Sequence, residues 1–407
     1  MMTADKIAMA VRTETVLPTG RREDECRISH TRVAWRLEGG RAVLVAYQIF
    51  RRGNEFGKPI GLPGRGEFGI EIMIALAYQV YIVGVSIDNA CRLLNFFEQL
   101  QLRKSQADAL LNQLARSWES EFETLCTLLA NATVVHCDET SWSINSVWAF
   151  LSDKLSVLFY GVHKDAATLA EVFDKDEFSG TLFSDNAAVY QGFDKSQKCW
   201  AHLIRKAIKL TLQDPSDADY RRLADDLMLI YRDGKKAATD GRLRDAGRQS
   251  RIQQLEDRVL DCCMPGWTNA EVGGEGPGSD YHRLCNEIMK LMLHDELFVF
   301  VAPGRADGTN NVSERQLRGD ALARRTGRTN KTPRGAKRQS IISSVLQSVG
   351  KQVECFQLQS IIDEIARWTA VGQSCFDSMR DALQQSMSTP LPARKGILNK
   401  LILNTDP

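Results

Sequence analysis

The stretch TVVHCDETSWSINSVWAFLSDKLSVLFYGV, Thr133–Val162, decides the fold of this chain. Thr133–His136 reads as a short β run that ends at Asp138. Val147–Leu151 and Val157–Val162 are apolar and rich in β-branched and aromatic residues, with a joint at Ser152–Ser156. Downstream, Ala166–Phe173 has the pattern of a short helix, and Thr181–Ser184 that of a fourth strand ending at Asp185. Gln197–Trp200 is a candidate fifth strand leading into a helix from Ala201. Three strands, a helix and a further strand predict a mixed α/β sheet.

Towards the N-terminus, Val33, Trp35 and Leu37 alternate, Val43–Phe50 is strand-like, and Gly39-Gly40 between them signals a hairpin. Residues 1 to about 30 are polar and basic and read as a loosely ordered arm. Arg51–Gly69 holds six of the 29 glycines with Pro59 and Pro63, as a loop or linker does. Helices follow: Ile70–Val83, a second capped by Ser86 with Ala90, Leu93, Leu94 and Phe97 on one face, and a third capped by Ser105. This spacing fits a helix-turn-helix arrangement that reads DNA, and equally a plain helical bundle.

Leu203–Val301 is helical and charged, with amphipathic runs at Tyr220–Lys236 and Leu243–Leu260, a glycine-rich break at Pro265–Ser279 and another helix at Tyr281–Val299. It reads as an all-α insertion. A turn at Gly304–Thr309 precedes a helix from Asn310 to about Arg325, and Ser340–Met379 is again helical.

Composition narrows the class. Of 407 residues 43% are hydrophobic and 25% charged, and the net charge is only +1, so any affinity for a polyanion must be gathered locally. No apolar run is long enough to predict a membrane span, and no signal peptide is read. Ten cysteines without regular spacing fit reduced thiols and a cytoplasmic protein. Charge does gather in one place. Arg315, Arg318, Arg324, Arg325, Arg328, Lys331, Arg334, Lys337 and Arg338 are interrupted by a single acid, Asp320. A solvated helix face explains many such runs; one sign in a balanced chain points instead to a polyanion partner.

Asp138 and Asp185 fall at strand ends and Glu314 in the first turns of a helix. Ligand-binding groups gather at strand ends in open sheets, although a lone Asp there is commonly a turn or cap residue. Carboxylates brought together from separate elements repel one another, and bound divalent cations remove that penalty. Acids beside a basic strip suit metal-dependent chemistry on a phosphodiester.

Four blocks, HCDETSW (136–142), GTLFSDNAAVY (180–190), KCWAHLIRK (198–206) and NNVSERQLR (310–318), resemble the insertion sequence 66 transposase family of bacteria. The resemblance runs from about Ile70 to Gly350. It implies a DDE-type enzyme with an RNase H-like mixed sheet interrupted by an all-α insertion. The implied organisation is an N-terminal arm with a β-like segment and linker (1–69), a helical region (70–130), the first part of the catalytic core (131–206), the insertion (207–302), the second part (303–350) and a helical tail (351–407). Asp138, Asp185 and Glu314 would be catalytic and hold two Mg2+, with Mn2+ as substitute. Asn311, Cys199 and His202 would support the site; the cations from Arg315 to Lys337 would contact DNA. Glu139 reads as a structural neighbour. Cys199 and His202 also read as buried core groups, or as half of a zinc site completed by His282 and Cys285. The implied partners are transposon ends, target DNA, a second copy of the chain and accessory proteins, in a bacterial, nucleoid-associated setting. Alternatives are a metal-dependent nuclease on the same core and a non-catalytic DNA-binding remnant. The family's cysteine-rich segment has no counterpart around Tyr47–Leu62.

Overall fold

A computed structural model describes residues 3–268, 277–302, 307–392 and 394–403. In chain order the elements are α1 (Thr3–Ala8), β1 (Arg12–Val16), β2 (Arg27–Glu38), β3 (Arg41–Arg52), β4 (Glu55–Phe56), α2 (Ile70–Ala77), α3 (Ile87–Glu98), α4 (Lys104–Ser117), α5 (Glu119–Ala130), β5 (Val134–Ser141), β6 (Ser146–Leu151), β7 (Ser156–Val162), α6 (Ala166–Val172), β8 (Thr181–Ser184) and β9 (Ser196–Lys198). The helices α7 (Trp200–Gln213), α8 (Ala218–Thr239), α9 (Asp245–Cys263), α10 (Pro277–Leu293), α11 (Asn311–Arg325), α12 (Pro333–Gly350), α13 (Leu358–Val371), α14 (Cys375–Ser386) and α15 (Ile397–Leu403) complete it. Parts of the expected glycine-rich break and of the turn at 304–309 lie outside the described residues. None of the described helices is long and apolar enough to cross a membrane.

The chain divides into two compact units. One comprises the residues up to Leu128, Lys154–Gly161 and Leu322–Ile402. Its N-terminal sheet has the order β1-β3-β2, with β4 on β3. Glu38 pairs with Arg41 across Gly39 and Gly40, whose φ of +57° and +77° suit a tight hairpin turn that only glycine adopts without strain. The arm expected to be loose is ordered instead. β1 pairs parallel with β3, Lys6 meets Glu67 at 2.6 Å, and Arg12 forks onto Glu38. Main-chain pairing, which polar side chains do not announce, holds it. The helix expected over Ile70–Val83 is α2 continued by one π turn, Tyr78–Ile82. Ser86 caps α3 through the Asn89 N–H, as expected. Phe97, expected on the apolar face, is 63% exposed. α4 starts one residue before Ser105, and the Gln106 side chain accepts from the Arg103 N–H.

Within the same unit α12 lies along β7. The hydroxyls of Ser348, Ser344 and Ser340 accept from the N–H groups of Ser156, Leu158 and Tyr160 at 3.0, 2.8 and 2.9 Å. Ser344 and Ser348 also donate to the carbonyls of Leu158 and Ser156. Every fourth residue of a helix advances about 6 Å. Every second residue of a strand advances about 6.6 Å. The two periods match over two steps, so a serine stripe satisfies the backbone of a terminal strand.

The second unit comprises Leu129–Asp153 and Val162–Ala321. Within it the strands run in the order β6-β5-β8-β9. β5 runs antiparallel to β6 and parallel to β8, and β8 parallel to β9. β5 does not stop at Asp138; it continues to Ser141 because β6 pairs with it throughout, Asp138 against Ala149 and Ser141 against Ser146. The remaining strands and α6 fall within a residue or two of expectation. Helices α7 to α10 pack round Trp200, Leu227, Ile230, Val259, Ile288 and Phe300, and share that core with Phe183 of β8. The Trp200 indole donates to the Leu297 carbonyl at 2.7 Å. The insertion is thus rooted in the sheet through one aromatic cluster.

Candidate active site

The register of β5 and β8 decides the site. His136 is abreast of Phe183. Extending that register by two residues sets Asp138 of β5 abreast of Asp185, the first residue past β8; neighbouring strands lie about 4.8 Å apart. Asp185 follows the last residue of β8, and its Oδ1 accepts from the Ala187 N–H at 3.0 Å. Asp138 Oδ1 accepts from the Glu139 N–H at 2.9 Å.

Glu314 is brought in by α11. Asn310 precedes that helix and is buried. Its side-chain amide donates to the Cys137 carbonyl of β5 at 2.7 Å and its Oδ1 lies 3.3 Å from His136 Nδ1. Its own N–H donates to Cys199 Sγ at 3.2 Å. One asparagine therefore ties the start of the Glu314 helix to the strand carrying Asp138 and to the cap of α7. Gly308, two residues earlier, has φ +78°, and its carbonyl accepts from the Trp200 N–H at 3.1 Å; a Cβ there would lie 2.8 Å from the Phe300 ring.

Electrostatics records the convergence. Burial pushes the Asp138 carboxyl up to about 7, and the charges of Glu139, Asp185 and Glu314 add to the rise. Glu139, on the opposite face of β5, is engaged elsewhere: Lys164 Nζ is 2.6 Å from its Oε1 and the Tyr190 hydroxyl donates to its Oε2. Burial raises its carboxyl too. Glu314 Oε1 accepts from Arg205 at 2.9 Å and lies 3.6 Å from His202 Nδ1. Burial, then the Arg205 charge, lowers the imidazole's affinity for a proton. Cys199 is buried as the N-cap residue of α7, and burial pushes its thiol up.

The other expected residues are spread more widely. Asn311 is exposed, and its carbonyl accepts from Arg315 Nε at 3.2 Å; the buried asparagine is Asn310. Arg315 and Arg318 are exposed on α11. In the other unit Arg324, Arg325, Arg328, Lys331 and Arg334 are exposed, and Arg328 donates to the Gly84 carbonyl. Lys337 pairs with Glu119 at 2.6 Å and Arg338 with Asp108 at 2.5 Å, so part of the strip is matched by acids of that unit's own helices. His282 Nδ1 lies 2.7 Å from the Gly266 carbonyl and Cys285 is buried among the insertion helices. Among the described residues the group able to hold a metal through Cys199 and His202 includes Glu314, not His282 or Cys285.

Asp138 of β5, Asp185 just past β8 and Glu314 of α11 thus converge, with Arg205 on Glu314 and Arg315 and Arg318 exposed on the same helix as Glu314. The sequence model of the Transposase IS66 family matches residues 65–338, about two thirds of the chain, and the chain belongs to that family. No curated protein matches it. Membership implies an enzyme that cuts and joins DNA.

The Asp138 shift predicts an inverted pH response. With a folded pKa of about 7 against an ordinary 3.8, the native state holds the Asp138 proton more tightly than the unfolded chain. That contribution is fully present below about 4 and lost as the pH rises to 7. In chelator, the stability of Asp138→Asn relative to wild type should therefore grow between pH 4 and 7, by up to about 4 kcal/mol at three pKa units. Urea midpoints at several pH values measure it. A pH-independent difference would mean that Asp138 titrates normally.

Proposed function

We propose that the chain is a DDE-type DNA transposase with an RNase H-like core, in which Asp138, Asp185 and Glu314 hold two Mg2+ ions, Mn2+ able to replace them. What carries the reading is that Asp185 and Glu314, from separate elements, both add their charge to the buried Asp138 carboxyl. The donor set fits the ions: hard oxygens only, crowded enough that Asp138 resists ionising without a counter-charge. A mixed sheet with one carboxylate on β5, one just past its parallel neighbour β8 and the third on a helix supports the RNase H-like assignment.

Bound divalent cations would activate the attacking oxygen and stabilise the leaving one. The chain's own residues supply position. Asn310 pins Glu314's helix to β5. Lys164 and Tyr190 hold Glu139 aside, leaving Asp138 as the strand's carboxylate for the site. Arg205 neutralises Glu314 until cations bind. Arg315 and Arg318 offer planar guanidinium forks to phosphate. Water attack at a transposon end frees a 3′-OH, and that 3′-OH then attacks target DNA in line, with no covalent enzyme intermediate. Two ends must be cut together, so the working species on DNA is a dimer or larger.

The test is strand transfer. Labelled DNA carrying the element's ends, incubated with target plasmid and Mg2+, should yield joined product. Cut ends without joining would make it a nuclease; retarded but intact DNA would make it a binding remnant.

A further inference from the structure

Cys199 and His202 offer no oxygen ligand to the magnesium centre, yet both lie beside Glu314. Cys199 caps α7 and His202 lies three residues on, so the two share one face of the helix's first turn. One ligand atom each from Cys199, His202 and Glu314 lies within 4.8 Å of the others. His202 Nδ1 is shielded from solvent and has no hydrogen-bond partner. Its 3.6 Å gap to Glu314 Oε1 is longer than a hydrogen bond. Two ligands bound to one tetrahedral zinc at about 2.0–2.3 Å lie about 3.6 Å apart. A shielded nitrogen without a partner at that distance from a carboxylate is satisfied by a cation bound between them.

We propose that Cys199, His202 and Glu314 form a second site, for a borderline-soft divalent cation such as Zn2+, which shares only Glu314 with the magnesium centre. Thiol, imidazole and carboxylate is a donor set that Zn2+ takes and Mg2+ refuses. Three protein ligands leave a fourth position open to water. On binding, the thiol proton leaves to solvent, and the Asn310 N–H that donates to Cys199 Sγ supports the resulting thiolate. Arg205 must release Glu314 Oε1. Binding does not depend on the transposase reading. Its consequence does: Zn2+ here draws Glu314 away from Asp138 and Asp185, so zinc inhibits cleavage supported by Mg2+.

The test is a Co2+ titration of the reduced, metal-free full chain, read by the thiolate-to-cobalt charge-transfer absorption. Wild type should bind one equivalent with that band, and one equivalent of Zn2+ should bleach it. Cys199→Ala should abolish it. His202→Gln and Glu314→Gln should weaken binding at least about tenfold. Asp138→Asn should keep the band, which separates this site from the magnesium centre. No band in wild type overturns the proposal. So does a band that survives in Cys199→Ala, which would locate the ion at another cysteine, or one unchanged in both His202→Gln and Glu314→Gln.

Discussion

Asp138→Asn is expected to reduce Mg2+-dependent DNA cleavage by at least about a thousandfold while leaving DNA binding intact. Each tenfold corresponds to about 1.4 kcal/mol of transition-state stabilisation. A divalent cation contributes several kcal/mol at a transferring phosphoryl group. Asparagine keeps the shape of aspartate and removes the charge that holds the cation. The same change removes the strained ionisation: the carboxyl that burial and Glu139, Asp185 and Glu314 push up to about 7 becomes a neutral amide. The variant should therefore be inactive and, at pH 7 without metal, more stable than wild type. A catalytic residue shows that pairing of effects; a structural one would lose both. Cleavage of labelled ends, gel retardation and thermal melting on one preparation decide it. If Asp138→Asn cleaved within tenfold of wild type, the carboxylate would not belong to the reacting centre and the two-metal reading would fall.

How far the site can be read before the fold is known depends on which signals are local. Val134, Val135, Leu182 and Phe183 are apolar enough to mark their strands, and an acid just past such a run stands out. That part was legible. The continuation of β5 through Asp138, Glu139 and Thr140 was not. Those residues are polar, and they are in a strand only because β6 pairs with them from a distance. Asn310 and Asn311 look equivalent in sequence, yet one is buried against Cys137 and Cys199 and the other is exposed; which is which follows from where α11 begins. The cationic run read as one strip, but Lys337 and Arg338 meet Glu119 and Asp108, acids more than two hundred residues away in sequence. Local pattern finds periodic burial and loses whatever a distant partner decides.

The serine stripe is the extreme case of that loss, and it carries the second large effect. In sequence Ser340, Ser343, Ser344 and Ser348 resemble a solvated helix face; all four are fully buried. The triple change Ser340→Ala, Ser344→Ala and Ser348→Ala strips the acceptors from the N–H groups of Tyr160, Leu158 and Ser156. Each buried N–H left unsatisfied costs about 1–3 kcal/mol. The triple variant should therefore lose about 3–9 kcal/mol of a total stability that is typically about 5–15 kcal/mol, enough to leave the chain largely unfolded at 37 °C. Ser343 supplies the control. Its hydroxyl is buried with no partner, so Ser343→Ala removes a polar group that gains nothing from burial and should be neutral or stabilising. Urea unfolding of the singles separates the two classes. Ser344→Ala should lower the midpoint clearly and Ser343→Ala should not. Equal costs for the two would show that α12 holds β7 by packing alone, and that the match between helix and strand periods is incidental.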